Sequence, residues 1–128
     1  MKKEKDEIAS KDAKIKKVSE ERNTTDRVSR MIIAAEKAKK KIVFIAGRRS
    51  HEFGAHEHKA GCMLLAKALQ QGMPGYKCEV YFEGWPKDAS AFDGADAIVM
   101  YSDGGGRHFA NRHLDQVSKL SDKGVGVM

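Results

Sequence analysis

The chain contains five histidines, and all five lie in or just after two short segments. Residues 47–58 read GRRSHEFGAHEH and residues 103–108 read DGGGRH; His113 follows shortly. Neutral imidazoles beside a carboxylate suit zinc or a similar divalent metal, with neighbouring acids fixing the rings. His51, His56 and His58 can converge on such an ion, with Asp103 or His108 brought in from the second segment. The spacing H-x4-H-x-H matches no standard metal signature, so two other readings stand beside it. These residues either cap the next helix and face water, or make acid–base and sugar-hydroxyl contacts without metal. In the latter reading His56 and His108 are the catalytic candidates. Ser50, His51, Asp103 and Gly104-Gly105-Gly106 are the ligand-binding candidates. The triple glycine either brings backbone N–H groups up to an anion or oxyanion, or is a flexible turn. Trp85 is a stacking platform for a sugar ring or a half-buried anchor beside Pro86.

These segments must be positioned by regular elements, and the hydrophobic pattern supplies them. Ile42-Val43-Phe44-Ile45-Ala46 is a continuous apolar run, the mark of a strand buried on both faces. Residues 57–71 keep helical spacing through Gly61, Leu64, Leu65 and Ala68, with Cys62 and Leu69 alongside, until Gly72, Pro74 and Gly75 stop them. Cys78 to Phe82 reads as a second strand, Asp88 to Phe92 as a short helix, and Ala97 to Tyr101 as a third strand. Leu114, Val117 and Leu120 mark a further helix, and Val125 to Met128 begins a fourth strand. Strands alternating with helices predict parallel β–α units. The expected fold is a three-layer α/β parallel sheet, cut off after the start of strand four. Ligands of such sheets bind outside the carboxyl ends of the strands, where the histidine segments fall.

Residues 1–40 differ in kind and form a charged tail, solvated helix or disorder, ahead of the domain at 41–128. Thr24, Thr25 and Asp26 offer an N-cap to a helix whose face is Val28, Met31, Ile32 and Ala35. Lys37, Lys39 and Lys40 near its end suit the helix dipole. The net charge of +6 also belongs here: residues 1–41 hold 14 Lys or Arg against 8 Asp or Glu, and the rest holds 10 of each. A basic tail on a neutral domain argues against specific nucleic-acid binding. No apolar run of about 18 residues exists, so no membrane span is expected. Met1-Lys2-Lys3 runs into Glu4 and Asp6 without an apolar stretch, so the chain as written reads as cytoplasmic, or as secreted or periplasmic if a leader precedes it. Cys62 and Cys78 have no metal or redox spacing and read as buried reduced thiols.

Nucleotide P-loop, dinucleotide and G-x-S-x-G signatures are absent. The ordered blocks KIVFIAG (41–47), Ser50-His51, GAHEHKAGC (54–62), Gly84-Trp85-Pro86, DGADA (93–97) and DGGG (103–106) with His108 resemble the start of a ThuA-like (trehalose-utilisation) domain. The resemblance covers about residues 41–128. It implies a flavodoxin-like sandwich related to class I glutamine amidotransferases and a role in carbohydrate metabolism. Its polar loop residues map onto His51, His56, His58, Asp103 and His108. In the amidotransferase relatives the nucleophile follows a central strand, at or beyond Met128 here, so glutaminase activity is not expected. The leading expectation is binding or processing of a sugar-type ligand, as a hydrolase or lyase on a modified sugar. The alternatives are a non-catalytic sugar- or metal-binding module and an inactive interaction fragment that self-associates through an exposed sheet edge.

Overall fold

The computed structural model describes residues 2–36 and 40–128. Helix α1 (Lys2–Glu36) forms one unit, and the remainder forms a second. α1 is a single helix, rich in Lys and Glu, which propagate a helix readily. Thr24 and Thr25 do not cap anything: each hydroxyl donates to the carbonyl four residues back, on Glu20 and Glu21, at 3.0 Å. That local bond lets the threonines sit mid-helix, and it corrects the expected helix start at Thr24–Asp26. Lys37 and Lys39, expected to close the helix, lie outside the described residues, as does the side chain of Ala35. Lys40 belongs to the next strand instead.

The second unit comprises β1 (Lys40–Ala46), α2 (His58–Gly72), β2 (Tyr76–Tyr81), β3 (Ala97–Tyr101), α3 (Leu114–Asp122) and β4 (Gly126–Val127), with short 3-10 turns between. Over these residues the four strands are all parallel, in the order β2-β1-β3-β4. This is the beginning of the flavodoxin-like order, with the chain reversing direction across the sheet between β1 and β3. β2 and β4 are the edge strands.

The apolar run in β1 is divided by the pleat between two cores. Ile42, Phe44 and Ala46 face α2 through Cys62 and Ala66. Val43 and Ile45, with Ile98 and Phe92, face the other side, where Leu120 of α3 packs. Helices on both faces give three layers. Val43 and Ile45 have no exposed surface, and each such side chain contributes about 1.5–3 kcal/mol by burial.

On α2 the buried positions are His58, Cys62 and Ala66, spaced four apart, with Leu69 partly buried. The face expected to pack, through Leu64, Leu65 and Ala68, is exposed instead. The helix is rotated because its first turn is held by His58 and Gly61. Gly61 lies so close to Tyr101 that a Cβ there would stand 2.6 Å from the tyrosine ring.

Candidate functional site

The first turn of α2 and the ends of β1 and β3 meet at the reversal point of the sheet. Gly47 ends β1, and its N–H donates to the Tyr101 carbonyl at 2.8 Å. A Cβ on Gly47 would stand 2.7 Å from Ser102 Oγ, so glycine is required for the two strand exits to run this close. The loop from Arg48 to Glu57 then folds on itself. Arg49 Nε donates to the His51 carbonyl, Ala55 N–H to the Glu52 carbonyl, and Gly54 N–H to the Glu57 carboxylate. Gly54 takes φ +85°, and His56 takes φ +52°, which few non-glycine residues adopt. Glu57 closes an inverse γ-turn, with His58 N–H donating to the His56 carbonyl at 2.8 Å.

This loop delivers three imidazoles to one carboxylate. His56 Nδ1 lies 2.5 Å from Asp103 Oδ1, His58 Nε2 lies 3.5 Å from the same oxygen, and His51 Nδ1 lies 3.8 Å from Oδ2. The His51 and His56 rings are 3.9 Å apart. Ser50 Oγ is 2.9 Å from His51 Nδ1. The Ser50 hydroxyl and the His56 imidazole hold the Asp103 carboxyl down at about 2, with the nearby His56 and His58 rings adding to the effect. Asp103 is therefore a carboxylate at neutral pH, and the proton in its short bond resides on His56 Nδ1. His56 and His51 stand half in solvent.

His58 differs from its neighbours because its ring is buried, 3% exposed. Its Nδ1 lies 3.1 Å from the Arg48 carbonyl. A carbonyl only accepts, so Nδ1 carries the hydrogen and Nε2 is the atom turned towards Asp103. The Tyr101 ring meets His58 edge-on at 5.0 Å and secures it.

Of the expected site residues, Ser50, His51, His56, His58 and Asp103 are brought together. His108 is placed otherwise: its Nδ1 accepts the Ala110 N–H at 3.1 Å and so caps the turn at Phe109–Arg112. No hydrogen bond or ion pair joins it to the cluster among the described residues. Gly104, Gly105 and Gly106 are exposed, and Gly105 has φ +71°. Asn111 Nδ2 donates to the Gly105 carbonyl, which fixes the loop just beyond Asp103. Trp85 is a half-buried anchor: it packs on Phe92, stacks on His113 at 5.2 Å and donates to Gln116. Burial pushes both thiols up, Cys62 within the α2 core and Cys78 on β2, which disfavours the nucleophilic thiolate.

No protein-family model, curated protein or solved structure matches the chain. What the site can do therefore rests on its own geometry.

Three contributors were missed in the sequence: Gly47, Gly61 and Tyr101. The two glycines carried a signal, since each interrupts an apolar element where a close approach is the usual reason. Tyr101 carried none, because it reads as the last residue of an apolar strand. Phe53 also went unremarked. It projects from the histidine loop with 90% of its surface exposed, in a segment otherwise polar.

Proposed function

We propose that this chain is a ThuA-like domain that binds a sugar-type ligand in the crevice between the loops after β1 and β3. We further propose that it processes a modified, keto-type sugar there by acid–base chemistry. The observation that carries the reading is the His56–Asp103 pair at the reversal point of the sheet. Asp103 holds the Nδ1 hydrogen of His56, which leaves Nε2 as the basic atom on a half-exposed ring. A carboxylate that fixes the tautomer of a histidine is the common way to build a general base.

In a lyase step, His56 Nε2 takes the proton from the carbon next to the sugar's carbonyl, and the electron pair moves onto the carbonyl oxygen. Collapse of that enolate breaks the bond to the substituent on the carbon beyond the one deprotonated, and the substituent departs with the proton now on His56. In a hydrolase step the same nitrogen takes a proton from water as the water oxygen bonds to the anomeric carbon. The glycosidic C–O bond breaks, and the departing oxygen takes up the proton now on His56. Exposed backbone N–H groups of Gly104–Gly106, just after Asp103 in the chain, stabilise the developing oxyanion. Ser50 offers a hydroxyl to the ligand, and Phe53 offers an apolar ring face on the same loop.

The test is a titration of the purified chain with keto-sugars, followed by amide NMR and by product formation. Saturable shifts at Gly104–Gly106 together with turnover are expected. His56→Asn suits the left-handed backbone and should keep binding while turnover falls about 10²–10⁴-fold. Binding without turnover would make the domain a sugar-binding module. A folded spectrum that no sugar perturbs would overturn the reading.

A further inference from the structure

The residues that hold Asp103 have more capacity than one carboxylate uses. His51, His56 and Asp103 each offer a ligand atom, and these atoms all lie within 4.8 Å of one another. His58 lies outside this group of three and meets it at the Asp103 carboxylate. The Arg48 carbonyl accepts from His58 Nδ1, which turns Nε2 towards Asp103 Oδ1 at 3.5 Å. A backbone carbonyl that orients a buried histidine is the arrangement that commonly prepares imidazole for a metal.

We propose that His51, His56, His58 and Asp103 form a binding site for a zinc-class divalent cation. Three imidazoles to one carboxylate favour zinc, cobalt or nickel over magnesium or calcium, which prefer all-oxygen shells. Tetrahedral bonds of about 2.0–2.1 Å place neighbouring ligand atoms about 3.3 Å apart. His58 and Asp103 already meet that spacing. His51 needs to approach by about half an ångström. His56 needs to withdraw from Asp103 by about 0.8 Å, and its half-exposed ring has room to do so. The left-handed backbone at His56 is the kind of local strain that a ligand site retains. The cation takes the place of the hydrogen on His56 Nδ1, so the loaded site and the metal-free acid–base pair are alternative states of one cluster. The assignment does not depend on a sugar being the ligand.

The experiment uses metal alone. Cobalt(II) is titrated into the full-length chain and followed by visible absorption, because tetrahedral cobalt absorbs far more strongly than the hydrated ion. A saturating signal at one equivalent, displaced by zinc, is expected. His56→Asn and Asp103→Asn should each weaken binding at least tenfold, whereas His113→Ala, whose ring stacks on Trp85, should not. Thermal melts of each variant identify any that fail to fold, and cobalt-induced chemical-shift changes at the His58 ring then report on the site in folded variants. A folded wild-type chain that gives no tetrahedral signal would overturn the proposal. So would a signal that survives both His56→Asn and Asp103→Asn. Sugar binding in metal-free buffer is read separately, so either idea can fail without the other.

Discussion

β3 carries an aspartate at each end, and the two ends of the sheet use the same side chain differently. At the amino end, Asp96 accepts the Lys41 N–H at 2.8 Å and the Lys40 ammonium at 3.1 Å. The Lys41 ammonium in turn donates to the Ala91 and Asp93 carbonyls and pairs with Glu79. Asp96 itself is met by a backbone N–H and a lysine, and Lys41 and Glu79 extend the network as a strap between β1, β2 and β3. At the carboxyl end, Asp103 faces a hydroxyl and three imidazoles, groups that can give up or share a proton or bind a cation. A carboxyl held below its ordinary pKa is thus no sign of function alone. What its partners can do decides that.

Altering the glycine that brings the site's two loops together should have the largest effect. Gly47→Ala puts a methyl against Ser102 Oγ, Cβ and Cα at 2.7, 2.8 and 3.2 Å. Backbone must move, and denaturant unfolding should show about 2–3 kcal/mol lost. Gly106→Ala, with nothing within 4 Å of its added carbon, should stay within about 0.5 kcal/mol. Equal effects at the two positions would mean that the strand exits do not approach as closely as described.

Next in size is His58, the site residue that also belongs to the core. His58→Ala removes a buried ring, its bond to Arg48 and its edge contact with Tyr101. It should cost about 1–2 kcal/mol, measured by the same unfolding curves. His51→Ala, on a half-exposed ring, should cost no more than about 0.5 kcal/mol. If the two variants melt alike, His58 is a surface ligand like the others and its preset orientation is lost as an argument for the metal.

The sheet was largely legible because strands buried on both faces leave long apolar runs, as in Ile42–Ala46 and Ala97–Tyr101. Periodicity served less well on α2. Leu64 and Leu65 are apolar yet exposed, and the helix is oriented by His58 and Gly61, whose roles depend on a tyrosine forty residues away. The same limit applied to the histidines. Their clustering in sequence was visible, but only the fold separates three that converge on Asp103 from His108, spent on a cap, and His113, spent on Trp85. The expected helix start at Thr24 failed because a threonine's affinity for backbone serves a helix interior as well as its end.

The smallest effect should appear in acid and would sharpen the contrast between the two aspartates. Asp103 has its carboxyl lowered from 3.8 to about 2, and Asp96 is also lowered, chiefly by the Lys41 N–H. A carboxyl depressed by folding stabilises the native state fully above its unfolded value. That contribution drains away as pH falls through the folded value. For Asp103 the window runs from about pH 4 down to about pH 2. In metal-free buffer, the unfolding midpoint of the wild-type chain should therefore fall across this window more steeply than that of Asp103→Asn. Asp96→Asn should flatten the acid limb as well. Only Asp103→Asn should also remove the cobalt signal at neutral pH, because among the described residues it is His51, His56 and Asp103 that converge as a group of three ligands. Parallel acid limbs for wild type and Asp103→Asn would mean that neither Ser50 nor the imidazoles engage Asp103 in solution, and the chemical distinction between the two ends of β3 would collapse.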